Sequence, residues 1–337
     1  MRIGFAYDLK DTVPLEKCSP EDALEEYDHS ATIELISGAL TNLGHTVVKL
    51  GGGRDFLTNI LHEKVDIVFN IAEGRGVFRS REAQVPSVLE MLNIPYTGSD
   101  PQCLAIKMDK PLAKKLVAMA GIIVPKEIVI NNAQELEKTR WDGFPFPAIL
   151  KPAFEGSSKG IRLSSVVKNY KEINALAGRL IECYRQPVMV EEFIEGDEVT
   201  VGLVGNSPPR VLGMMRILPR QKYEHFVYSL EVKRDWKNTV EYECPPKLDK
   251  KILKSIEESA INAFQVLGCR DFGRIDYRLG TDGTPYFLEI NPLPGLGDYS
   301  DLVIMALKLG WKYDALIGAV LSAALERYPC ASSSGLQ

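Results

Sequence analysis

Between Phe272 and Asn291 the chain reads FGRIDYRL, a Gly280-Thr281-Asp282-Gly283-Thr284 break, and PYFLEIN. Alternation of apolar and polar residues predicts two half-buried strands, and Asp-Gly between such runs predicts a hairpin. Arg274, Asp276 and Arg278 share one face of the first strand, with Ile275 and Leu279 on the other. Glu289 and Asn291 share a face of the second, with Leu288 and Ile290 opposite. If the strands pair, Asp276, Glu289 and Asn291 converge beside Arg274. Three hard oxygen donors suit Mg²⁺, and Arg274 is placed to hold an anion. The same spacing also fits an exposed hairpin face with solvated charges.

Upstream, apolar runs at Arg2–Tyr7, His45–Leu50 and Asp66–Ile71 alternate with helical patterns, the clearest from Ser30 to Leu43. That alternation predicts a parallel sheet with helices on its faces. Gly51-Gly52-Gly53 lacks dinucleotide-loop spacing and reads as a turn. Glu73-Gly74-Arg75-Gly76 follows the third strand, where α/β sheets bind ligands, with Arg79, Arg81 and Glu82 close behind. These charges suit either a polar pocket or plain surface. Asp109-Lys110-Pro111 opens a helix with a good N-cap. Phe146–Pro152 is an apolar strand carrying one lysine, Lys151, which needs an anionic partner. The Gly/Ser loop Glu155-Gly156-Ser157-Ser158-Lys159-Gly160 follows, with free N–H groups and hydroxyls able to cover phosphates. Val188–Glu192 and Glu198–Val204 are strands around a Gly196 turn, acidic enough to accept bonds from an adenine amino group or ribose hydroxyls. Lys250–Leu267 is a helix, and Leu302–Leu325 is helical.

Composition narrows the classes. The 337 residues are 45% hydrophobic and 25% charged, enough for two or three domains with sizeable cores. A net charge of −5 argues against a general nucleic-acid binder. The basic-aromatic stretch Arg216–Trp236 is therefore read as a loop that neutralises a phosphate. No apolar run is long enough to span a bilayer, and the first residues lack a signal-peptide pattern, so a cytoplasmic protein is expected. Six scattered cysteines without a CxxC pair suggest free thiols, and four histidines without HExxH spacing give no support to metalloprotease chemistry. Ala331–Gln337 is expected to be a disordered tail.

Taken in order, MDK, ILKP with EGSSKG, VEEFIEGDEVTV, FGRIDYRL and FLEINPLPGL resemble the ATP-grasp superfamily, most closely the D-alanine–D-alanine ligase family. The resemblance covers roughly residues 1 to 325 and is strongest from Tyr96 onward. It implies an α/β ATP-grasp fold: an N-terminal parallel-sheet substrate domain (1–102), then two α+β subdomains, central (103–192) and C-terminal, metal-binding (193–330). It implies ATP and Mg²⁺ as cofactors, with Mn²⁺ able to substitute, and small amino-acid or peptide substrates. It further implies a homodimer, with no nucleic-acid or membrane partner. By motif position, Lys110, Lys151 and Lys233 match phosphate-side lysines, and Glu155, Gly156, Ser157 and Ser158 belong to the covering loop. Glu191, Glu192 and Ile194 fall where adenine is held, and Glu198 where ribose is held. Asp276, Glu289 and Asn291 match the metal ligands. Arg274 matches the arginine that steadies an acyl phosphate and tetrahedral intermediate. The implied reaction is a carboxylate–amine ligation that forms an amide.

The substrate side departs from the family pattern. The glutamate expected near the first helix is matched by Thr32, with Glu34 two residues away. Glu73 replaces a histidine before Gly-Arg-Gly. Arg234 replaces a tyrosine that normally joins a serine, here Ser157, in closing the site. The serine receiving a substrate carboxylate is ambiguous between Ser300 and Asp301, beyond Gly295. The expectation is altered amino-acid specificity, with Arg234, Arg79 and Arg81 accepting an extra carboxylate and Glu73 a substrate amine. A ligase for another dipeptide or a D-alanyl ester remains open, as does a non-catalytic ATP-binding protein. An RNA-interacting module built on the basic-aromatic stretch is the remaining rival.

Overall fold

Strands β1 (Arg2–Ala6), β2 (Thr46–Gly51) and β3 (Ile67–Asn70) form a parallel sheet in the order β2-β1-β3. Parallel neighbours require crossover connections. Helices α1 (Ser30–Asn42) and α2 (Gly53–His62) supply them, and α3 (Gln84–Met91) follows β3. In this computed structural model, residues 1–15 and 17–329 are described, so Cys330 and the tail expected to be disordered lie outside the described residues. The glycine run ending β2 is a turn, as its spacing predicts. A Cβ on Gly52 would sit 1.9 Å from an Asp8 oxygen, so the close approach requires glycine.

Helices α4 (Pro101–Met108) and α5 (Lys110–Met119) lead onward, and the Asp109 carboxylate accepts the Leu112 N–H at 3.2 Å as the predicted cap of α5. A second sheet, antiparallel with order β4-β7-β5-β6, uses β4 (Glu127–Ile130), β5 (Ala148–Pro152), β6 (Val166–Val167) and β7 (Val188–Glu192). Helices α6 (Ala133–Lys138) and α7 (Tyr170–Tyr184) pack on it. A third sheet, also antiparallel, has order β10-β9-β8-β11-β12. Its strands are β8 (Gly196–Val204), β9 (Arg210–Pro219), β10 (Val240–Glu243), β11 (Phe272–Gly280) and β12 (Pro285–Asn291). Short helices α8 (Leu230–Arg234) and α9 (Trp236–Thr239) precede β10, and α10 (Lys250–Val266) precedes β11.

Three expectations change. Gly196 is not a turn but the first residue of β8, opposite Gly280, where a Cβ would meet the Leu279 carbonyl at 1.9 Å. Arg216 is not in a loop but in β9, paired with Asp197 at 3.1 Å and Glu243 at 3.2 Å. The C-terminal apolar stretch divides at Gly310 (φ +85°) into α11 (Asp301–Lys308) and α12 (Tyr313–Arg327).

The predicted hairpin forms, with one refinement that positions the site. Asp276 faces Glu289 and Arg274 faces Asn291, but the register shifts between Asp276 and Tyr277, so Tyr277 pairs with Phe287. The bulge absorbs Leu288. Strict alternation would put Phe287 on the carboxylate face. The bulge instead turns it into the core, where it is fully buried, edge-on to Tyr277 at 6.1 Å. Ile275, Tyr277, Phe287 and Ile290 pack against Ile256, Ala260 and Phe264 of α10. Phe264 lies so close to β11 that a Cβ on Gly273 would come within 3.0 Å of its ring. Phe264→Ala should therefore lower unfolding free energy by about 3–5 kcal/mol, measured by denaturant titration, since the strand cannot collapse into the void. A loss below about 1 kcal/mol would mean that α10 does not anchor the hairpin.

Candidate active site

The hairpin's polar face is held by charge pairing. Arg274 donates from Nε and Nη2 to the two oxygens of Asp276, at 3.0 and 2.8 Å. Asp276 also accepts from the Thr200 hydroxyl at 2.7 Å, and Arg274 reaches Asp301 at 3.5 Å. The Asn291 amide oxygen accepts the Leu293 N–H at 3.1 Å, which fixes the amide. Arg274, Glu289 and Asn291 line a cavity of about 390 Å³. Burial raises the Glu289 carboxyl, but Lys110, Lys233, Lys151 and Arg274 outweigh it and hold it down at about 2. Two carboxylates and an amide oxygen form a hard donor set that fits a divalent cation. Asp276 is the member turned toward Arg274 rather than into the cavity.

Cations dominate the adjoining face. Lys110, the first residue of α5, donates to the Glu155 carbonyl and stands 3.6 Å from Glu289. Lys151 of β5 pairs with Glu191 of β7 at 2.7 Å, and burial brings its ammonium down to about 8. Lys114, one helical turn after Lys110, is bonded to the other Glu191 oxygen. Lys233 of α8 lines the cavity 5.0 Å from the Tyr228 ring centre, and among the described residues no carboxylate pairs with it. The Glu155–Gly160 loop turns over this face, with Ser157 and Ser158 in the left-handed region at φ +51° and +59°. Gly156 and Ser157 line the cavity, and the Ser158 hydroxyl donates to the Tyr228 carbonyl at 3.3 Å.

The opposite wall comes from the segment between β1 and α1. Glu25 pairs with Arg234 at 2.7 Å and Lys10 at 3.4 Å. Glu26 pairs with Arg81 at 2.7 Å and Lys159 at 2.9 Å. Asp22 accepts the Gly160 N–H at 2.9 Å, so this wall is tied to the covering loop. Asp28 accepts hydroxyl bonds from Thr32 and Tyr299, and burial pushes its carboxyl up to about 7. Glu73 also lines the cavity, its carboxyl well above the usual range through burial and the nearby Glu82.

Of the residues singled out from sequence, Lys110, Gly156, Ser157, Lys233, Arg234, Arg274, Glu289, Asn291, Glu73, Gly295 and Ser300 meet at this cavity. Several do not serve it as expected. Glu34 points away, largely exposed and paired with Lys49 at 2.5 Å. Arg79 is bound to Asp109 at 2.8 Å and mostly exposed. Arg81 is 1% exposed and saturated by Glu26 and Glu155, so neither arginine is free to take a substrate carboxylate. The Glu155 carboxylate is spent on Arg81, Lys159 and Gln186. Glu191 is spent on two lysines, while Glu192 accepts the Lys126 N–H at 3.3 Å. Arg278 joins the Ile194 carbonyl and the Glu198 carboxylate, at 2.8 and 2.9 Å. The Asp301 carboxylate is committed to Arg274 and Tyr228, which leaves Ser300 as the open hydroxyl of that pair. Missed in the sequence were Lys114, whose i+4 spacing from Lys110 was a usable signal, and Asp22, Glu25, Glu26 and Asp28, whose acidic run looks like surface.

The chain resembles known proteins along most of its length. The family model described as D-ala D-ala ligase C-terminus matches residues 116–322. A D-alanine–D-alanine ligase of Aquifex aeolicus is 33% identical over 291 residues, spanning 86% of this chain and 94% of the relative. An uncharacterized protein of Sinorhizobium fredii, y4sG, is 31% identical over 304 residues, spanning 87% of each. The crystal structure of a D-alanine–D-alanine ligase from Bacillus anthracis complexed with ATP shares the fold, with TM-score 0.74 at 21% identity, covering 97% of this chain and 98% of that one. The chain thus belongs to the D-alanine–D-alanine ligase family, and is an ATP-grasp, ATP-dependent ligase.

Proposed function

We propose that the protein joins the carboxylate of one amino acid or small peptide to the amine of another through an acyl phosphate, and that its substrates are not both D-alanine. One observation carries the reading. Lys110, Lys233, Arg274, Glu289 and Asn291 line the same cavity as two carboxyls, Glu73 and Asp28, that form no ion pair among the described residues. A nucleotide phosphate and an ammonium-bearing substrate would thus share one cavity.

A carboxylate is a poor electrophile, and phosphorylation gives it a good leaving group. Lys110, Lys151 and Lys233 hold the phosphates and offset the charge that builds during transfer. The Glu155–Gly160 loop covers them and excludes water, with Ser157 and Arg234 closing the cavity mouth. The connection from β7 to β8, with Glu192, Ile194 and Glu198, forms the nucleoside side, while Glu191 holds Lys114 and Lys151. Asp276, Glu289 and Asn291 would hold Mg²⁺, or Mn²⁺ in its place, which when bound neutralises phosphate charge. Arg274 steadies the oxyanion as the amine attacks, and Gly295 and Ser300 receive a substrate carboxylate. Free thiols at the five described cysteines favour a reducing compartment, and we place the protein in the cytoplasm as a homodimer. No helix among the described residues is long and apolar enough to cross a membrane.

The direct test is Mg²⁺-dependent phosphate release from ATP across a panel of amino acids and small peptides. Asp276→Ala and Glu289→Ala should each lower turnover about a hundredfold or more while the fold is kept. An active double variant would refute the metal assignment. Arg274→Ala should cost about 10²–10³ in kcat with ATP KM changed less than about threefold, because its partner is charge that develops during reaction. D-alanine turning over fastest would end the altered-specificity reading.

Asp28 gives a pH prediction. Its folded-state value of about 7 lies above the ordinary 3.8, so the folded state binds the proton more tightly. Its contribution is greatest at low pH and is lost as pH rises through about 7. Asp28→Asn should therefore raise Tm relative to wild type by more at pH 8 than at pH 5. An equal difference at both would contradict a carboxyl buried without a counter-charge.

A further inference from the structure

Among the described residues, every acid on the N-terminal wall of the cavity has a cationic partner except two. Glu25 has Arg234 and Lys10, Glu26 has Arg81 and Lys159, and Glu82 has Lys107 at 2.5 Å. Asp28 is 8% exposed, lines the cavity, and is met only by the hydroxyls of Thr32 and Tyr299. The Glu73 carboxylate makes no hydrogen bond or ion pair among the described residues, although its backbone is fixed by the neighbouring turn at Gly74, whose N–H reaches Asp8. Asp8 acts on the Asp28 carboxyl, and Glu82, Glu26 and Lys107 act on that of Glu73. Of these only Lys107 is a cation, and Glu82 already holds it.

Two neighbouring carboxyls in a closed wall cannot both ionise unless positive charge enters with the ligand. A single ammonium discharges one of them and leaves the other protonated. Two ammonium groups ionise both, and each then gains a charge-assisted hydrogen bond. We infer that the amino acid bound at this wall is a diamino acid, its two ammonium groups held by Asp28 and Glu73. This rests on the ligase reading and extends it to a substrate class.

The test is phosphate release by the full chain with Mg²⁺-ATP, comparing lysine, ornithine and 2,3-diaminopropionate with alanine, norleucine and glutamate, each as both enantiomers. The best diamino acid should exceed the best neutral one in kcat/KM by about tenfold or more, the worth of one charge-assisted contact. Asp28→Asn and Glu73→Gln should each bring that ratio toward one, with ATP KM held within about twofold because neither side chain belongs to the phosphate face. A neutral or acidic amino acid as best substrate overturns the inference and leaves the ligase standing. So does an unchanged ratio in both folded variants. If no amino acid raises phosphate release above background, the ligase reading itself falls. The wild-type ratio alone decides should a variant fail to fold.

Discussion

Charge removed from water must find a counter-charge, and the whole cavity is ordered by that requirement. Most of its ionised groups answer one another. Glu191 lies between Lys114 and Lys151, Asp276 is gripped by Arg274, and Glu26 and Glu155 share Arg81 and Lys159. What remains over is informative. On one wall Lys233 has no carboxylate partner among the described residues, and Lys110 reaches Glu289 only at 3.6 Å. On the other, Asp28 and Glu73 form no ion pair among the described residues. The cavity is therefore short of an anion at one end and of a cation at the other. The nucleotide phosphate and the amine of the proposed reaction would supply those two charges.

The fold supplies the rigidity that such an arrangement needs. β11 lies between β8 and β12, so Arg274 and Asp276 stand on a strand hydrogen-bonded on both edges. The bulge opposite Leu288 lets the same hairpin present carboxylates to the cavity and aromatics to α10. The segment between β1 and α1 adds a link between substrate and nucleotide sides. Asp22 caps the Gly160 N–H and also meets Arg162 at 2.9 Å, while Glu26 takes Lys159 of the same loop. Asp28 is two residues from Glu26, so a ligand at that carboxyl lies close to the clamp on the covering loop.

Local pattern made the hairpin, its Asp-Gly turn, the Asp109 cap and the parallel order of β1 to β3 readable in the sequence. Each depends on side-chain periodicity or a single backbone requirement. The bulge was not readable, because Leu288 looks like any alternating residue until Phe287 must choose between core and cavity. Lys151 was readable as a lysine needing an anion, whereas Glu191 looked like an adenine contact because its two lysine partners lie far away in sequence. Arg79 and Arg81 looked available for the same reason: Asp109, Glu26 and Glu155 are brought to them only by tertiary packing. The 8–29 segment gave no signal, since its acids become a cavity wall only through partners brought in from elements distant in sequence.

The central claim is that the cavity activates a carboxylate by phosphorylation before an amine attacks. Its most direct test is oxygen transfer. An amino-acid donor labelled with ¹⁸O in its carboxylate is turned over with Mg²⁺-ATP, and the released phosphate is analysed by mass spectrometry. An acyl phosphate requires one labelled oxygen to leave with the phosphate at each turnover. Amide formation with unlabelled phosphate, the displaced label appearing in AMP or in water instead, would contradict the account.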